Sequence, residues 1–198
     1  MNLYGQFLNF SMNWRAKYFL PILKSLARWK ISPNQITTFR LIFIFPIAFY
    51  FQQRNLWGVL IFYLLFWFLD LIDGSLARYL QIENDKGRFL DTVVDNFMYS
   101  FAILGFIYLG AASAYLLTYN ILIELILQLL AIIKKREKET SNWLIKAQAD
   151  LPYFKTIIHL VLILYLFGAD YLDITFIFVN TFTTILAFYY FIIIKNRN

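Results

Sequence analysis

Four aspartates interrupt an otherwise hydrophobic part of the chain, in two pairs on either side of a short polar stretch. Asp70 and Asp73 lie near the end of one apolar segment, and Asp91 and Asp95 lie near the start of the next. The two pairs lie at nearly equal distances along the chain from the middle of residues 79–86. If both segments are helices of an antiparallel hairpin, equal offsets place all four carboxylates at one depth.

Four carboxylates at one depth predict a divalent-metal site. Carboxylates inside a membrane are costly, and like charges at close range cannot all remain ionised without cations. Hard oxygen ligands favour Mg²⁺, Mn²⁺ or Ca²⁺ over zinc or copper. Two such ions side by side could hold a diphosphate and stabilise both the attacking and the leaving oxygen. The candidate ligands are Asp70, Asp73, Asp91 and Asp95.

Small residues and an arginine accompany the aspartates. Spacings of three and four residues put Ala77 on the helix face of the first pair and Gly87 on the face of the second. Gly74 and Ala77 are small, so a ligand or the partner helix can approach the backbone closely. Arg78 follows at the mouth of the predicted hairpin, where its guanidinium could bind a phosphate through two hydrogen bonds.

The composition is typical of a polytopic membrane protein. The 198 residues are 61% hydrophobic and 15% charged, which disfavours a soluble domain. The absence of cysteine excludes disulfides, thiolate ligands and a cysteine nucleophile. With about 20 residues per crossing, we predict an all-α integral membrane protein with six transmembrane helices, at residues 35–53, 56–79, 88–110, 114–134, 153–169 and 173–194.

The segment before the first predicted crossing is basic and amphipathic. Residues 11–29 combine aromatic and aliphatic side chains with four basic ones, which predicts an interfacial helix. We expect no signal peptide, because the chain lacks a short apolar core followed by a small-residue cleavage site. No repeat or long linker divides the sequence. We therefore expect residues 1–198 to form a single membrane domain, with a six-helix catalytic bundle over residues 35–194.

Basic residues are concentrated on one side of the predicted crossings. They lie before the first crossing, after the second, after the fourth and at the C-terminal end. The opposite side carries Arg54, Asp170 and Asp173. The positive-inside rule then predicts that both termini and the aspartate hairpin loop face the cytoplasm, in a multi-pass protein of the cytoplasmic membrane.

At these residues the chain resembles class I of the CDP-alcohol phosphotransferase (CDP-alcohol phosphatidyltransferase) family. A lead-in around residues 32–46 and Lys155-Thr156 at the predicted fifth crossing are also similar to that family. The resemblance implies six helices with a cytoplasmic active site, commonly in a homodimer. The matching signature positions are Asp70, Asp73, Gly74, Ala77, Arg78, Gly87, Asp91 and Asp95.

The resemblance also implies an activity in phospholipid biosynthesis. Members usually transfer the phosphatidyl group of CDP-diacylglycerol to an acceptor hydroxyl and release CMP. The four aspartates would bind two ions of Mg²⁺ or Mn²⁺, and Asp95 would act as the general base. The residues expected to bind the CDP moiety are Asp70, Gly74, Ala77, Arg78 and Gly87.

The acceptor is less well defined by the sequence. A phosphorylated polyol such as glycerol 3-phosphate would require basic residues, and the candidates are Arg88, Arg136, Lys146 and Lys155. Positive-inside bias alone would also place them there. Asn96 stands where glycerophosphate-using and cardiolipin-forming relatives often carry lysine, and inositol-phosphate-using relatives often carry arginine. Serine or a less studied polyol therefore stays open as the acceptor, although we favour a phosphorylated polyol such as glycerol 3-phosphate.

Three further features have alternative interpretations. Arg40, near the start of the first crossing, could contact a phosphate or extend to the membrane surface. Asn120, Glu124 and Gln128 form a polar stripe that could bond helices together or line the acceptor cavity. For His159, the single histidine, we favour a packing or hydrogen-bond role over catalysis.

Two other functions are compatible with intramembrane aspartates. An intramembrane prenyltransferase also binds a diphosphate through aspartates and Mg²⁺, but it generally has more crossings and two widely separated motifs. A non-enzymatic divalent-cation transporter would use the carboxylates and would leave Gly74, Ala77 and Arg78 unexplained. Release of pyrophosphate would identify the first, and metal flux without a nucleotide requirement would identify the second.

Overall fold

The structure is a computed structural model that describes residues 18–135, 163, 165–168 and 171–195, and all regular elements in these ranges are helical. A 3₁₀ segment, Arg40–Phe43, lies between the α-helices Pro33–Phe39 and Ile44–Gln52. The α-helices are α1 Leu20–Arg28, α2 Pro33–Phe39, α3 Ile44–Gln52, α4 Leu56–Tyr79, α5 Asp85–Leu109, α6 Ala114–Lys135 and α7 Leu172–Lys195.

Four helical segments in the described ranges are long and apolar enough to cross a membrane. They correspond to the first, second, third and sixth predicted crossings. The fourth is helical as α6, with a shorter apolar part at Ala114–Leu130, while most of the fifth, 153–169, lies outside the described residues. The count of six therefore stays a prediction. The four segments are Pro33–Gln52, Leu56–Tyr79, Asp85–Leu109 and Leu172–Lys195.

Many large apolar side chains on these segments are exposed. Phe45 is 75% exposed, Ile174 is 70% exposed and Phe188 is 65% exposed. A soluble protein rarely exposes apolar surface on this scale, whereas lipid tails solvate it without cost. The exposed side chains therefore agree with the membrane protein predicted from composition.

Helix α1 lies within the predicted interfacial segment 11–29, of which residues 11–17 lie outside the described residues. Phe19 and Leu23 are buried in a cluster with Ile36 of α2 and Leu76 of α4, so α1 packs on the helix that carries the first aspartate pair. Lys24 and Arg28 remain exposed. The placement of α1 at a membrane interface stays a prediction.

The chain divides into two compact units, Met1–Phe101 and Ala102–Asn198. In the first unit α3 and α4 approach closely at Gly58, where a Cβ would lie 2.2 Å from the ring of Tyr50. The same ring stacks on Phe62 with centroids 5.6 Å apart. In the second unit α6 packs on α7 through a core of Ile123, Leu127, Leu186, Ala187 and Tyr190.

Local sequence signals explain how the helices around the aspartates begin and end. Ser32 caps α2 with a capping box, because its hydroxyl accepts from Gln35 N and the Gln35 side chain accepts from Ser32 N at 2.8 Å. Asn84 Oδ1 accepts a 2.8 Å hydrogen bond from Gly87 N in the first turn of α5. Helix α4 ends where Gln81 adopts a left-handed conformation with φ of 55°. These signals fix the loop 80–84 that joins the two aspartate-bearing helices.

Candidate active site

All four predicted aspartates contact one buried guanidinium. Arg40 Nη1 lies 2.9 Å from Asp70 Oδ1, 3.1 Å from Asp73 Oδ2 and 2.7 Å from Asp91 Oδ1. Arg40 Nη2 donates to Asp95 Oδ1. The side chain of Arg40 is 0% exposed, so its extension to the membrane surface, one of the two alternatives from the sequence, is wrong. We call Asp70, Asp73, Asp91 and Asp95 the aspartate cluster.

Three elements of the first unit bring these side chains together. Arg40 begins the 3₁₀ segment, and its guanidinium lies 4.2 Å from the centroid of the Phe66 ring on α4. Asp70 and Asp73 share one face of α4 because they are three residues apart, and Asp91 and Asp95 share one face of α5 because they are four apart. The predicted meeting of both pairs is thus observed, with a cation between them.

Asp73 is the most enclosed carboxylate of the aspartate cluster. Its side chain is 5% exposed, whereas those of Asp70, Asp91 and Asp95 are 33%, 40% and 37% exposed. Thr37 Oγ1 lies 2.8 Å from Asp73 Oδ2, and Thr37 is itself buried. Asp73 is therefore held by the protein on one side, while the other three carboxylates are open to a ligand.

The donor set of the aspartate cluster fits a hard divalent cation. One carboxylate oxygen each from Asp70, Asp91 and Asp95 lies within 4.8 Å of the other two. Oxygens at that separation can reach a single ion at the bond lengths that Mg²⁺ or Ca²⁺ requires. All ligands are carboxylates, which favours Mg²⁺, Mn²⁺ or Ca²⁺ over softer metals.

A cavity of about 260 Å³ lies beside the aspartate cluster. This is slightly below the range of about 300–1,000 Å³ typical of small-molecule sites, so it fits part of a nucleotide-sized ligand. Asp73 and Asp91 line it, as do four predicted nucleotide-binding residues, whereas Asp70 and Asp95 do not. The four are Gly74, Ala77, Arg78 and Gly87.

Arg78 is only loosely held within the protein. Its Nη2 lies 3.4 Å from Ser75 Oγ, and its Nη1 lies 3.7 Å from Glu83 Oε1. The side chain is 38% exposed, so rotating it toward a phosphate would cost little. The phosphate contact of Arg78 stays a prediction.

Gly74 and Gly87 both line the cavity, but the packing of the protein disfavours a side chain only at Gly87. At Gly74 an added Cβ would meet only the Arg78 guanidinium, at the ordinary distance of 3.7 Å. Packing within the described protein therefore does not require glycine there, which favours a ligand that approaches this backbone. At Gly87 an added Cβ would lie 3.1 Å from Asn34 Oδ1, so the fold itself disfavours a side chain at that position.

The predicted acceptor-binding residues are only partly described. Arg88 lines the cavity, and its Nη2 forms a 2.8 Å ion pair with Asp85. Arg136, Lys146 and Lys155 lie outside the described residues, as does His159.

Asn120, a member of the polar stripe of α6, and its neighbour Tyr119 form hydrogen bonds to α7 in the second unit. Asn120 Nδ2 donates to Asn180 Oδ1 at 2.8 Å, and Asn180 Nδ2 donates to the Leu116 carbonyl at 2.9 Å. Tyr119 and Thr184 are joined by a 2.7 Å bond between hydroxyl oxygens. For Asn120, which is fully buried, these contacts favour interhelical bonding over a cavity lining.

Sequence reasoning did not assign Arg40 and Thr37 to the aspartate cluster. They lie more than one helix away along the chain, so no local spacing links them to the aspartates. The sequence did contain a signal. Arg40 lies inside an apolar segment, and Thr37, three residues earlier, shares its helix face. Intramembrane charges pair with one another, and the aspartates were the partners available to Arg40.

Comparison with known proteins found a related protein and a matching family. A protein of Aquifex aeolicus (strain VF5), described only as an uncharacterized protein, is 36% identical over 77 residues, which cover 39% of this chain and 39% of that protein. The chain thus aligns with well under half the length of this relative. Residues 30–193 match the family described as CDP-alcohol phosphatidyltransferase, and they include the helices of the aspartate cluster and the cavity. The chain belongs to the CDP-alcohol phosphatidyltransferase family.

Proposed function

We propose that this chain catalyses the metal-dependent transfer of a phosphatidyl group from CDP-diacylglycerol to the hydroxyl of a small polar alcohol, with release of CMP. The family is a transferase family that carries out phospholipid head-group transfer, uses CDP-alcohol substrates with an alcohol acceptor in a membrane, and is generally divalent-metal dependent. The observation that carries the proposal is the convergence of all four carboxylates on one buried cation, Arg40, beside a cavity lined by Arg78.

Different residues would bind different parts of the donor substrate, CDP-diacylglycerol. The aspartate cluster would hold two ions of Mg²⁺ or Mn²⁺, which when bound neutralise the diphosphate and polarise its phosphorus. Arg78 is close enough to the cavity to donate two hydrogen bonds to a phosphate oxygen pair. Gly74 and Ala77 leave the helix backbone open to the nucleotide, and Gly87 lines the same cavity.

Asp95 is the proposed general base. Its carboxylate is 37% exposed, so an acceptor hydroxyl can come within hydrogen-bond reach of it, as a base requires. In the transfer, the acceptor oxygen forms a bond to the lipid-side phosphorus, and the bond from that phosphorus to the CMP oxygen breaks. The hydroxyl proton passes to Asp95, and CMP leaves with the electron pair of the broken bond.

We propose a phosphorylated polyol such as glycerol 3-phosphate as the acceptor. Arg88 supports this choice because it lines the cavity next to Asp91 and could pair with an acceptor phosphate. We further propose that the protein is a homodimer, as the resemblance to the family implies. We place the aspartate cluster on the cytoplasmic side of the cytoplasmic membrane, which the distribution of basic residues supports.

The proposal is tested by measuring CMP release from CDP-diacylglycerol by the purified protein, with Mg²⁺ or Mn²⁺ and with single acceptors. The acceptors are glycerol 3-phosphate, inositol 1-phosphate, inositol, serine and choline. CMP release with glycerol 3-phosphate that stops on chelation and returns with added metal supports the whole proposal. CMP release with another acceptor corrects the acceptor alone. Pyrophosphate release from a prenyl diphosphate, without CMP release, would instead identify a prenyltransferase.

A further inference from the structure

Arg40 occupies the position that a cation would take in the aspartate cluster. Its Nη1 carries two hydrogens but has three carboxylate oxygens, those of Asp70, Asp73 and Asp91, within 3.1 Å. In a simple ion pair, arginine frequently donates two parallel hydrogen bonds to a single carboxylate. Nη1 is instead surrounded by oxygens from three side chains, as a metal ion would be.

The rest of the Arg40 side chain is held in place by the first unit. The guanidinium lies against the Phe66 ring, and Nη2 is bonded to Asp95. Its Nε is buried and has no hydrogen-bond acceptor among the residues that the structure describes. A buried N–H left without an acceptor carries a cost, so the carboxylates, rather than a full set of hydrogen bonds, are what stabilise this position.

Electrostatics explain why the protein needs a cation there. Four carboxylates on two neighbouring helices would repel one another, and the repulsion is strong because this environment screens charge poorly. One guanidinium offsets part of that charge. A divalent ion that binds Asp70, Asp91 and Asp95 must either displace Arg40 from these oxygens or share them with it.

We propose that Arg40 is a built-in counter-cation, which holds the aspartate cluster together without metal and competes with divalent ions for the carboxylates. The inference rests on the metal site of the proposed function and adds a residue that tunes its affinity. Arg40 is thus a positioning residue that acts through the aspartates. In a variant without Arg40 we expect α4 and α5 still to hold the carboxylates close enough to bind one ion, so that the loss of a competing cation affects metal affinity more than the loss of this contact does.

The test compares Arg40→Gln, Arg40→Lys and wild type in detergent, with Arg28→Gln as a control that removes the same charge from an exposed position on α1. Mn²⁺ affinity is measured by the loss of the free-ion electron paramagnetic resonance signal. Thermal unfolding is measured with chelator and with Mn²⁺. Neither readout depends on catalysis.

We expect Arg40→Gln to bind Mn²⁺ about tenfold or more tightly than wild type, since a repelling positive charge is removed from the site. Its unfolding temperature should fall in chelator, and Mn²⁺ should raise it by more than in wild type. Arg40→Lys keeps the charge but cannot reach all the oxygens, so it should give intermediate values. Arg28→Gln should match wild type.

The outcomes separate this inference from the proposed function. Wild type that binds no Mn²⁺ would overturn the metal site and this inference together. Wild type that binds Mn²⁺, with Arg40→Gln binding it equally or more weakly, would overturn the role of Arg40 alone. If Arg40→Gln folds only with Mn²⁺, the inference is supported. If it folds in neither condition, Arg40→Lys decides by the same affinity comparison.

Discussion

The hydroxyl of Thr37 lies 2.8 Å from Asp73 Oδ2, and both side chains are buried in the first unit. The same hydroxyl lies 3.1 Å from the Pro33 carbonyl, one turn earlier in α2. The hydroxyl has one proton and two acceptors, and the shorter distance and the charge of the carboxylate favour donation to Asp73, the least exposed carboxylate of the aspartate cluster. Outer hydrogen bonds of this kind orient metal-binding carboxylates and commonly change metal affinity when they are removed.

Thr37→Val should lower the affinity for Mn²⁺ about tenfold or more, because Asp73 loses a donor that holds it in place. The variant should also be less stable by about 1.5–3 kcal/mol, the usual worth of one hydrogen bond to a charged group, since Asp73 Oδ2 keeps its contact with Arg40 Nη1. Thr37→Ser keeps the hydroxyl and is the matched control. Mn²⁺ titration and chemical unfolding of the three proteins check this, and equal Mn²⁺ affinity of the valine and serine variants would contradict it.

Gly74→Ala should leave the stability of the protein unchanged and weaken the binding of CDP. The added methyl meets only the Arg78 side chain within the described protein, at 3.7 Å, but it enters the cavity in which we place the nucleotide. Gly58→Ala is the contrasting variant, because its methyl would lie 2.2 Å from the Tyr50 ring and should destabilise the fold. CDP titration and thermal unfolding distinguish the two, and full CDP affinity in Gly74→Ala would move the nucleotide away from this helix face.

Arg78→Ala should reduce CDP affinity about tenfold or more, the worth of one hydrogen bond to a charged group. Stability should change little, because the contacts of Arg78 with Ser75 and Glu83 are long and partly exposed. Arg78→Lys retains the charge without the paired donors and should recover only part of the affinity. Isothermal titration with CDP checks the series, and an unchanged affinity in the alanine variant would remove Arg78 from the phosphate site.

Asn180→Leu should destabilise the second unit, because it removes both the acceptor for Asn120 Nδ2 and the donor to the Leu116 carbonyl. Hydrogen bonds between membrane helices contribute about 0.6 kcal/mol on average and up to about 1.7, so a loss of about 1–2 kcal/mol is expected. Thr181→Ala, at an exposed position of the same helix, is the control. Reversible unfolding in detergent measures the difference, and equal stability of the two variants would contradict the structural role.

The aspartates could be placed from the sequence because helical period and matched offsets depend only on local spacing. The same reasoning predicted Gly74, Ala77 and Arg78 beside them, and the structure places all three at the cavity. Arg40 could not be assigned, because its partners lie 30 or more positions away and an isolated intramembrane arginine has several ways to satisfy its charge. That contact depends on the tertiary packing of α2 and the 3₁₀ segment against α4.

Some helix boundaries can likewise be predicted from local sequence, and others cannot. Ser32 with Gln35 and Asn84 before Gly87 are recognisable caps in the sequence. The break between α2 and α3 is harder to predict, because no side chain caps the 3₁₀ segment Arg40–Phe43. Pro46 lies in the first turn of α3, a usual position for proline, and its missing N–H leaves the Ile42 carbonyl without its usual helical donor. The first crossing therefore changes its helical geometry at Arg40.

The most direct test of the account measures CMP release and CDP-diacylglycerol binding by wild type and Asp95→Asn in parallel, with Mn²⁺ present. The amide keeps the size of the side chain but cannot accept the acceptor proton, so we expect CMP release to fall by about 10²-fold or more. Donor binding should persist, because Asp70, Asp73 and Asp91 remain. An Asp95→Asn protein that still releases CMP at the wild-type rate would contradict the assignment of Asp95 as the general base.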